Sequence, residues 1–218
     1  MTQQQYEARQ EALQTYTSPT PLVVSFAGYA GVGKNTAADA LLNAKPEEVG
    51  GRVFVSIAVA DAIKDALLAV NPFVGPEGSC YPLADWAVDA GWDETHRMPE
   101  VRCMLEALGA WGRNIDPHFW AKLAARRVAS AVSAGYSVVV TDVRHLNELD
   151  LLLDVREDFL LCTFLVQRPD VGPVSDNERV ATQWFDDEID YSLDHVLVND
   201  STPDALKRNV LAALVGVL

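Results

Sequence analysis

Positive charge is scarce in this chain, where 17 Lys and Arg residues stand against 31 Asp and Glu residues. The formal net charge of -14 at pH 7 repels a phosphate backbone, which argues against a protein that grips DNA or RNA over a long track. A small phosphorylated ligand in a locally basic pocket is compatible with this charge. We therefore expect small-molecule partners and no stable nucleic-acid partner.

Cysteine is also rare, with Cys80, Cys103 and Cys162 as the only thiols among 218 residues. Their odd number and the lack of CxxC spacing favour neither a disulfide framework nor a zinc site. No apolar run approaches the roughly 20 residues that a membrane span needs. The stretch 1–21 is too polar for a signal peptide. These observations predict a cytoplasmic protein without a membrane partner.

The chain does contain a regular alternation of apolar runs and amphipathic stretches. The runs are mostly continuous, which is typical of parallel strands covered on both faces. Strands that alternate with helices predict βαβ units and a doubly wound α/β fold. The pair Asp116-Pro117 is predicted to cap and begin one helix. Predicted strands span 22–27, 52–59, 136–142, 159–167 and 195–200, and predicted helices span 34–45, 61–70, 99–113, 117–134, 145–156 and 203–216.

Two segments interrupt this alternation. Residues 71–98 hold Pro, Gly, Trp and acidic residues in mostly irregular order, and residues 168–194 form the second interruption. Long loops inside a compact domain are often lids or binding segments. The sequence thus predicts one domain over 1–218, with an extension at 1–20, a substrate-binding insertion at 71–98 and a lid at 168–194.

A glycine-rich loop follows the first predicted strand in the stretch "VVSFAGYAGVGKNTAADALL". Its G-x-x-x-x-G-K spacing lets successive backbone N–H groups point at phosphate oxygens, while the following helix adds its positive end. The hydroxyl residue usual after the lysine is replaced by Asn35, a poor Mg²⁺ ligand, so Thr36 becomes the candidate metal contact, or else only a helix residue. We predict ATP binding by Gly28, Ala30, Gly31, Val32, Gly33, Lys34, Asn35 and Thr36.

The stretch "YSVVVTDVRHLNE" places Asp142 at the predicted carboxyl end of a central strand, where ligands of open α/β sheets bind. Many P-loop ATPases carry a water-activating glutamate directly after such an aspartate, but this chain has Val143 and then Arg144. A site without a water activator suits transfer to another acceptor. Asp142 would hold Mg²⁺ through water or anchor a substrate hydroxyl. The alternative is that Asp142 caps the next helix while Arg144 pairs with Glu148.

Arginines are the second expected source of catalytic charge. Phosphoryl transfer spreads negative charge over equatorial oxygens, which planar guanidinium groups match. Arg113 lies where two predicted helices meet, and Arg168 and Arg179 belong to the predicted lid. No N-K-x-D string is present, which disfavours a guanine-specific switch GTPase.

Taken together, the stretches resemble the phage-type deoxynucleoside monophosphate kinases. The similarity rests on "GYAGVGKNTAADAL", "SIAVADAIKDALLAV", "LEALGAWGRNIDPHFWAKLAARRV", "VVVTDVRHLNEL" and "HVLVNDSTPDALKRNV", in the order of that family and over most of 22–216. It implies a P-loop kinase-like three-layer sandwich with a lid insertion. Asn35 replaces the aspartate of the usual G-K-D-T string, and the lid string "VSDNERVATQW" lacks the histidine of relatives.

The resemblance also implies roles. Lys34 and Thr36 would serve ATP and Mg²⁺, and Arg113 and Arg144 would contact the monophosphate or the transferring group. Catalysis would then rest on Lys34, Arg113, Arg144 and Asp142. Substrate binding is predicted for Lys64, Arg113, Asp142, Arg144 and Glu148, with Lys64 equally suited to an exposed helix position. Asn147 and Glu148 would orient Arg144 or tie down its loop, and Trp111, Phe119 and Trp120 would stack on a base or belong to the core.

The expected activity is ATP-dependent phosphorylation of a deoxynucleoside 5'-monophosphate, in a host cytoplasm if the protein is phage-encoded. Two alternatives stay open. One is another P-loop small-molecule kinase, of dephospho-coenzyme A or phosphomevalonate type. The other is a nucleotide-binding regulatory protein without an acceptor. A homodimer is compatible with the sequence.

Overall fold

The computed structural model describes residues 19–75, 80–154, 158–174, 176–185 and 193–217. The predicted extension therefore lies outside the described residues except for its last two positions, and so do parts of both predicted insertions. Among the described residues, no helix has both the length and the apolarity needed to cross a bilayer.

A five-stranded parallel sheet forms the centre of the molecule, with strand order β2-β5-β1-β6-β7. Strand β1 lies between β5 and β6, with Val23 opposite Val138 and Leu22 opposite Leu160. The predicted α/β class with a parallel sheet is confirmed. The five strands are β1 (Leu22–Ala27), β2 (Phe54–Ile57), β5 (Ser137–Val143), β6 (Leu160–Gln167) and β7 (His195–Val198), and a separate antiparallel pair is formed by β3 (Phe73–Val74) and β4 (Tyr81–Pro82).

Helices cover both faces of the sheet, which explains why the strand sequences are continuously apolar. Alternate residues of β1 enter different cores: Val24 and Phe26 belong to one, and Val23 to the other. The helices are α1 (Lys34–Leu42), α2 (Asp61–Val70), α3 (Leu83–Ala90), α4 (Trp92–Thr95), α5 (Pro99–Ile115), α6 (Phe119–Ser133), α7 (Leu146–Asp154), α8 (Asp176–Ala181) and α9 (Pro203–Leu214), with 3-10 turns at Pro46–Val49 and Gln183–Phe185.

The segment 71–98 is more regular than predicted. It contains the β3–β4 pair and helices α3 and α4, and its buried Leu83 packs with Leu67 and Val101 in a third core cluster. Helix α3 is only 8 residues long, so its apolar spacing spans too few turns to stand out from sequence. The expectation of an irregular segment was wrong.

The start of α6 also differs from the prediction. Asp116 closes α5 as its C-cap, and α6 begins at Phe119 instead of Pro117. The Asp116 carboxylate accepts the backbone N–H of His118 at 2.8 Å and the Lys122 ammonium at 2.6 Å. Asp116 therefore stabilises the turn that precedes α6. The helix itself begins two residues later than predicted.

Candidate functional site

The glycine-rich loop leaves the carboxyl end of β1 at the middle of the sheet and enters α1 at Lys34. Gly28 and Gly33 have φ angles of 142° and 106°, in the region that favours glycine. A Cβ on Gly28 would lie 2.4 Å from the Val166 carbonyl oxygen, and one on Gly33 would lie 2.6 Å from Asn199 Nδ2. Asn199 also donates to the Val32 carbonyl oxygen at 2.8 Å. The loop is thus fixed by the ends of β6 and β7.

This loop presents a row of free backbone donors. Val32 donates only a long 3.5 Å bond to the Tyr29 carbonyl oxygen, and α1 has no side-chain cap on its first turn. Buried or clustered N–H groups of this kind form an anion site when they follow a glycine-rich turn into a helix. Within the described residues, no protein acceptor takes the backbone N–H of Gly31, Gly33, Lys34, Asn35 or Thr36.

Lys34 brings a full charge to the same place. Its ammonium donates to the carbonyl oxygens of Gly28 at 2.6 Å and Tyr29 at 2.8 Å, and the side chain is only 8% exposed. Burial, reinforced by the neighbouring Arg144 guanidinium, lowers the pKa of Lys34 to about 8, although the carboxylates of Glu178 and Asp142 oppose the shift. Lys34 therefore loses its proton already in mildly alkaline solution, and a bound anion would stabilise its charged ammonium form.

The two residues after Lys34 differ in exposure. Asn35 is exposed, whereas Thr36 is half-buried in the first turn of α1. Val32, which we predicted to bind ATP, has a fully buried side chain in the core, so only its backbone faces the loop. In the described part of the chain, no three His, Cys, Asp or Glu side chains lie close enough to hold a metal ion between them.

Asp142 ties the central strand to the loop before α2. Its carboxylate oxygens accept the backbone N–H groups of Val59 at 2.7 Å and Ala60 at 3.1 Å. Asp142 therefore holds the turn between β2 and α2. Its carboxylate does not cap the next helix along the chain, which was the alternative that we had considered. Burial raises the pKa of this carboxyl above its usual value, despite the two N–H donors and the nearby Arg144.

The loop that carries Arg144 is held by Glu148. One Glu148 oxygen accepts the backbone N–H groups of Arg144 at 2.9 Å and His145 at 3.1 Å, and Asn147 donates to the Pro117 carbonyl oxygen at 2.8 Å. These bonds tie down the loop, which was one of the two roles predicted for Asn147 and Glu148. Among the described residues, the Arg144 guanidinium makes no ion pair, so the alternative Arg144–Glu148 pair is not formed.

A group of cations converges beside this loop. Arg144 lowers the pKa of Lys34, and burial together with Arg113 and then Arg144 lowers the pKa of His145. Burial raises the pKa of Glu148 to about 7, while Arg113 acts in the opposite direction. Lys34, Arg113 and Arg144 therefore share one electrostatic neighbourhood. The carboxyl groups of Glu178 and Asp142 act on Lys34 from the same neighbourhood, so the site combines positive and negative side chains.

A cavity of about 300 Å³ opens beside one of these cations, Arg113. Its position at the carboxyl end of β5 matches the edge where ligands of open parallel sheets bind. The cavity is lined by Arg113, Pro117, His118, Trp120, Ala121, His145, Asn147 and Glu148.

Helix packing positions Arg113. Trp120 donates its indole N–H to the Gly109 carbonyl oxygen at 2.9 Å, and a Cβ on Gly112 would lie 2.5 Å from the same indole nitrogen. The Arg113 guanidinium lies over Gly109, 3.3 Å from where a Cβ would stand. Trp120 is thus a core residue that lines the cavity wall, whereas Trp111 is 54% exposed.

Lys64 lines neither of the two cavities at this edge of the sheet. Its ammonium stands 4.6 Å from the centroid of the Trp92 ring, in a cation–π contact with the segment 71–98. Its suggested contact with a substrate phosphate remains a prediction.

The second predicted insertion packs on the glycine-rich loop. The Phe185 ring contacts Tyr29 edge-on with 5.5 Å between centroids, and the indole N–H of Trp184 donates to the Arg144 carbonyl oxygen at 2.9 Å. Glu178 is buried, and its carboxylate accepts the backbone N–H of Ala30 at 2.9 Å. We call residues 176–185 the docked segment.

The predicted lid arginines have exposed side chains. Arg179 lies in the docked segment, beside Glu178. Arg168 lines a second cavity of about 250 Å³ on the other side of the glycine-rich loop. That cavity is completed by Tyr29, Gln167, Pro169, Val171 and Val198.

Sequence reasoning missed Glu178. Its partner Ala30 is 148 residues away, and nothing in the string "SDNERV" distinguishes a buried acid from a surface one. Finding Glu178 from the sequence would require knowing that this insertion packs on the glycine-rich loop. Local periodicity does not reveal such a contact.

No known protein-family model matches the chain. The chain is 29% identical to the uncharacterized protein ORF77 of Ictalurid herpesvirus 1 (strain Auburn) over 190 residues. This alignment covers 86% of this chain and 68% of the viral protein. This relative is viral, and part of its length lies outside the match.

Solved structures of kinases are also similar to this chain. An APS kinase CysC of Mycobacterium tuberculosis, in complex with AMPPNP and APS, aligns over 90% of this chain and 98% of its own, with 14% identity and a TM-score of 0.49. A sugar kinase from Janibacter sp. aligns over 90% and 95%, with 19% identity and a TM-score of 0.43. At these values the likeness carries neither substrate nor mechanism to this chain.

Proposed function

We propose that this protein transfers the γ-phosphoryl group of ATP to a deoxynucleoside 5'-monophosphate. The observation that supports it most is the row of free backbone N–H groups at Gly31 and Gly33–Thr36, which meets the buried ammonium of Lys34. Such a combination binds a polyphosphate chain, because the donors and the charge act together on several anionic oxygens.

ATP would extend from this loop toward the second cavity. The β- and γ-phosphates would take the free N–H groups and displace Lys34 from the carbonyl oxygens of Gly28 and Tyr29. The 250 Å³ cavity lined by Tyr29 and Arg168 would receive the nucleoside end. An aromatic ring and a guanidinium group offer flat faces on which a base can stack.

Thr36 and Asp142 would contact Mg²⁺ in the setting that is usual in kinases. Mg²⁺ is mostly bound by one or two protein oxygens together with substrate phosphates and water. Thr36 offers a hydroxyl beside the free N–H groups, with no protein partner among the described residues, and Asp142 offers carboxylate oxygens that each accept one N–H bond. When bound, the ion would withdraw charge from the triphosphate. Asn35 is exposed and adds no charge to this set.

The acceptor would occupy the 300 Å³ cavity, with its phosphate toward Arg113 and Arg144. Planar guanidinium groups bind phosphate through paired hydrogen bonds. The cavity lies on the Arg144 side of the loop, so donor and acceptor would meet at Lys34. In this placement the acceptor would contact residues around the ends of α5 and β5. Residues 71–98 would contribute less to its binding than the sequence suggested.

The transfer needs little chemistry from the protein. A phosphate oxygen of the acceptor attacks the γ-phosphorus, a new O–P bond forms, and the bond to the β–γ bridging oxygen breaks to release ADP. The attacking oxygen is already ionised near neutral pH, so no general base is required. Lys34, Arg113 and Arg144 would neutralise the charge on the transferring group, and the docked segment would exclude water.

A substrate panel tests this function. ADP release should be measured with dTMP, dGMP, dCMP, dAMP and their ribonucleotide counterparts, with dephospho-coenzyme A and phosphomevalonate as controls. We expect turnover with at least one deoxynucleoside monophosphate and none with the two controls. Turnover with a control alone would identify another kinase, and ATP binding without transfer to any acceptor would support a regulatory nucleotide-binding protein.

A further inference from the structure

Glu178 connects the docked segment to the glycine-rich loop. One carboxylate oxygen accepts the Ala30 N–H at 2.9 Å, and the other accepts the Val174 N–H at 2.8 Å. The side chain is only 4% exposed, although a buried carboxylate is costly unless it is well hydrogen-bonded. A carboxylate buried against the loop of a candidate active site calls for a role.

The position of Ala30 shows what that role is. Ala30 precedes the row of free N–H groups, which begins at Gly31 and continues through Gly33–Thr36. The carboxylate therefore bonds the loop outside the donors that would hold phosphate, and it leaves them open. A carboxylate that competed with phosphate would instead accept hydrogen bonds from those N–H groups.

Two further contacts join the same segment to the site. Phe185 packs on Tyr29, which neighbours Ala30, and Trp184 bonds the carbonyl oxygen of Arg144. The docked segment thus touches both the loop for ATP and the loop for the acceptor. Glu178 supplies its charged hydrogen bond to the first of these, and hydrogen bonds to charged groups are the strong ones.

We infer that Glu178 is a positioning residue, whose carboxylate fixes the glycine-rich loop in its phosphate-binding shape by clamping Ala30 to the docked segment. The inference rests on the proposed function, because it assumes that this loop binds ATP. Glu178 acts through the loop and not on the reacting atoms. Its loss should therefore weaken ATP more than the acceptor.

The experiment compares Glu178→Gln and Glu178→Ala with the wild type. Glutamine keeps one acceptor oxygen and alanine keeps none, so the KM for ATP should rise about ten-fold in Glu178→Gln and further in Glu178→Ala. The KM for the acceptor should change less than about two-fold, since that site is held by other residues. Glu106→Gln is the matched control, because Glu106 lies on the surface in an exposed pair with Arg102.

An unchanged or lower KM for ATP in folded Glu178→Gln would overturn the inference. A lower KM would indicate that the Glu178 carboxylate repels ATP. Equal losses for both substrates would also overturn it. Calorimetric titration with ATP distinguishes failure of the proposed function from failure of this inference. If the wild type does not bind ATP, both are wrong. If the wild type and Glu178→Gln bind ATP equally well, only the inference is wrong.

Should both variants fail to fold, hydrogen exchange on the wild type decides. ATP should then slow exchange in residues 28–36 and in residues 176–185 together, because the clamp couples them. Protection confined to residues 28–36 would contradict the inference.

Discussion

The indole N–H of Trp184 bonds the backbone carbonyl oxygen of Arg144 at 2.9 Å, across 40 positions of the chain. Trp184→Phe keeps an aromatic ring there but leaves this carbonyl unpaired, which costs about 1–3 kcal/mol. We expect the melting temperature to fall by about 2–4 °C per kcal/mol. Trp111→Phe, at an exposed position, is the control and should melt within about 1 °C of the wild type. Equal melting of both variants would show that the Trp184 bond adds no stability.

Lys34→Ala should abolish nearly all turnover while the fold survives. The substitution removes the one cation inside the free N–H row, and the loss of such an electrostatic contact costs about 10²–10³-fold in kcat. Circular dichroism should stay unchanged, because the desolvation cost that the buried charge no longer imposes offsets the two hydrogen bonds lost to Gly28 and Tyr29. Lys45→Ala, at an exposed position, should retain full activity. A folded Lys34→Ala protein with near-normal kcat would remove the glycine-rich loop from the mechanism.

ATP binding should take up a proton in mildly alkaline solution. Burial lowers the pKa of Lys34 from 10.5 to about 8 in the free protein, so the neutral amine is the main form above that pH. A bound triphosphate favours the ammonium and raises this pKa again. Calorimetry in buffers of different ionisation enthalpy should detect uptake of close to one proton near pH 9 and almost none near pH 7.

The control for this proton uptake is Lys34→Arg, whose guanidinium stays charged throughout. If the wild type and Lys34→Arg take up the same number of protons at both pH values, Lys34 is not the titrating group.

Glu148 should make stability depend on pH between mildly acidic and neutral solution. Burial raises its pKa from 4.5 to about 7, so the native state holds the proton more tightly than the unfolded chain. The resulting stabilisation is complete below the unfolded pKa, declines as the pH rises toward 7, and is lost above it. The melting temperature of Glu148→Gln minus that of the wild type should therefore increase from about pH 5 to about pH 7.5. A melting-temperature difference for Glu148→Gln that stays constant between these pH values would contradict the assignment.

Gly112→Ala should destabilise the contact between α5 and α6. The added Cβ would meet the Trp120 indole nitrogen at 2.5 Å, and a rigid ring cannot yield as a flexible chain does. Overpacking of this kind costs about 1–3 kcal/mol. The urea midpoint should fall accordingly, whereas Gly216→Ala, with no heavy atom within 4 Å of its Cβ, should leave it unchanged. A wild-type midpoint in Gly112→Ala would mean that the helices separate without strain.

The sequence predicted the parts of this molecule whose signals are local. The five long strands and six main helices lie where apolar runs and helical spacing indicated, within about two or three residues at most ends, which is the usual uncertainty of such boundaries. The glycine-rich loop was recognisable because its spacing is itself a local geometric requirement. Arg144 and Glu148 were expected close together because they follow the same strand, and Arg113 was assigned to their site through the family resemblance alone.

What the sequence could not predict depends on distant partners. Asp142 bonds N–H groups 83 and 82 residues earlier, and Glu178 bonds Ala30 across 148 residues. An acidic side chain has the same local appearance whether it is solvated or bonded to a remote backbone. The helices within 71–98 were missed for a different reason, since α3 and α4 are too short to show a period.

The placement of β1 between β5 and β6 also governs when the molecule can assemble. Both neighbours of the first strand are made more than 100 positions later, as the register of Val23 with Val138 and Leu22 with Leu160 shows. During synthesis, β1 consequently stays without a sheet partner until the second half of the chain has left the ribosome. The pairing of β1 thus requires contacts of high sequence separation, and such contacts slow folding. The glycine-rich loop that follows β1 is therefore held in place only after Val166 and Asn199 have been made.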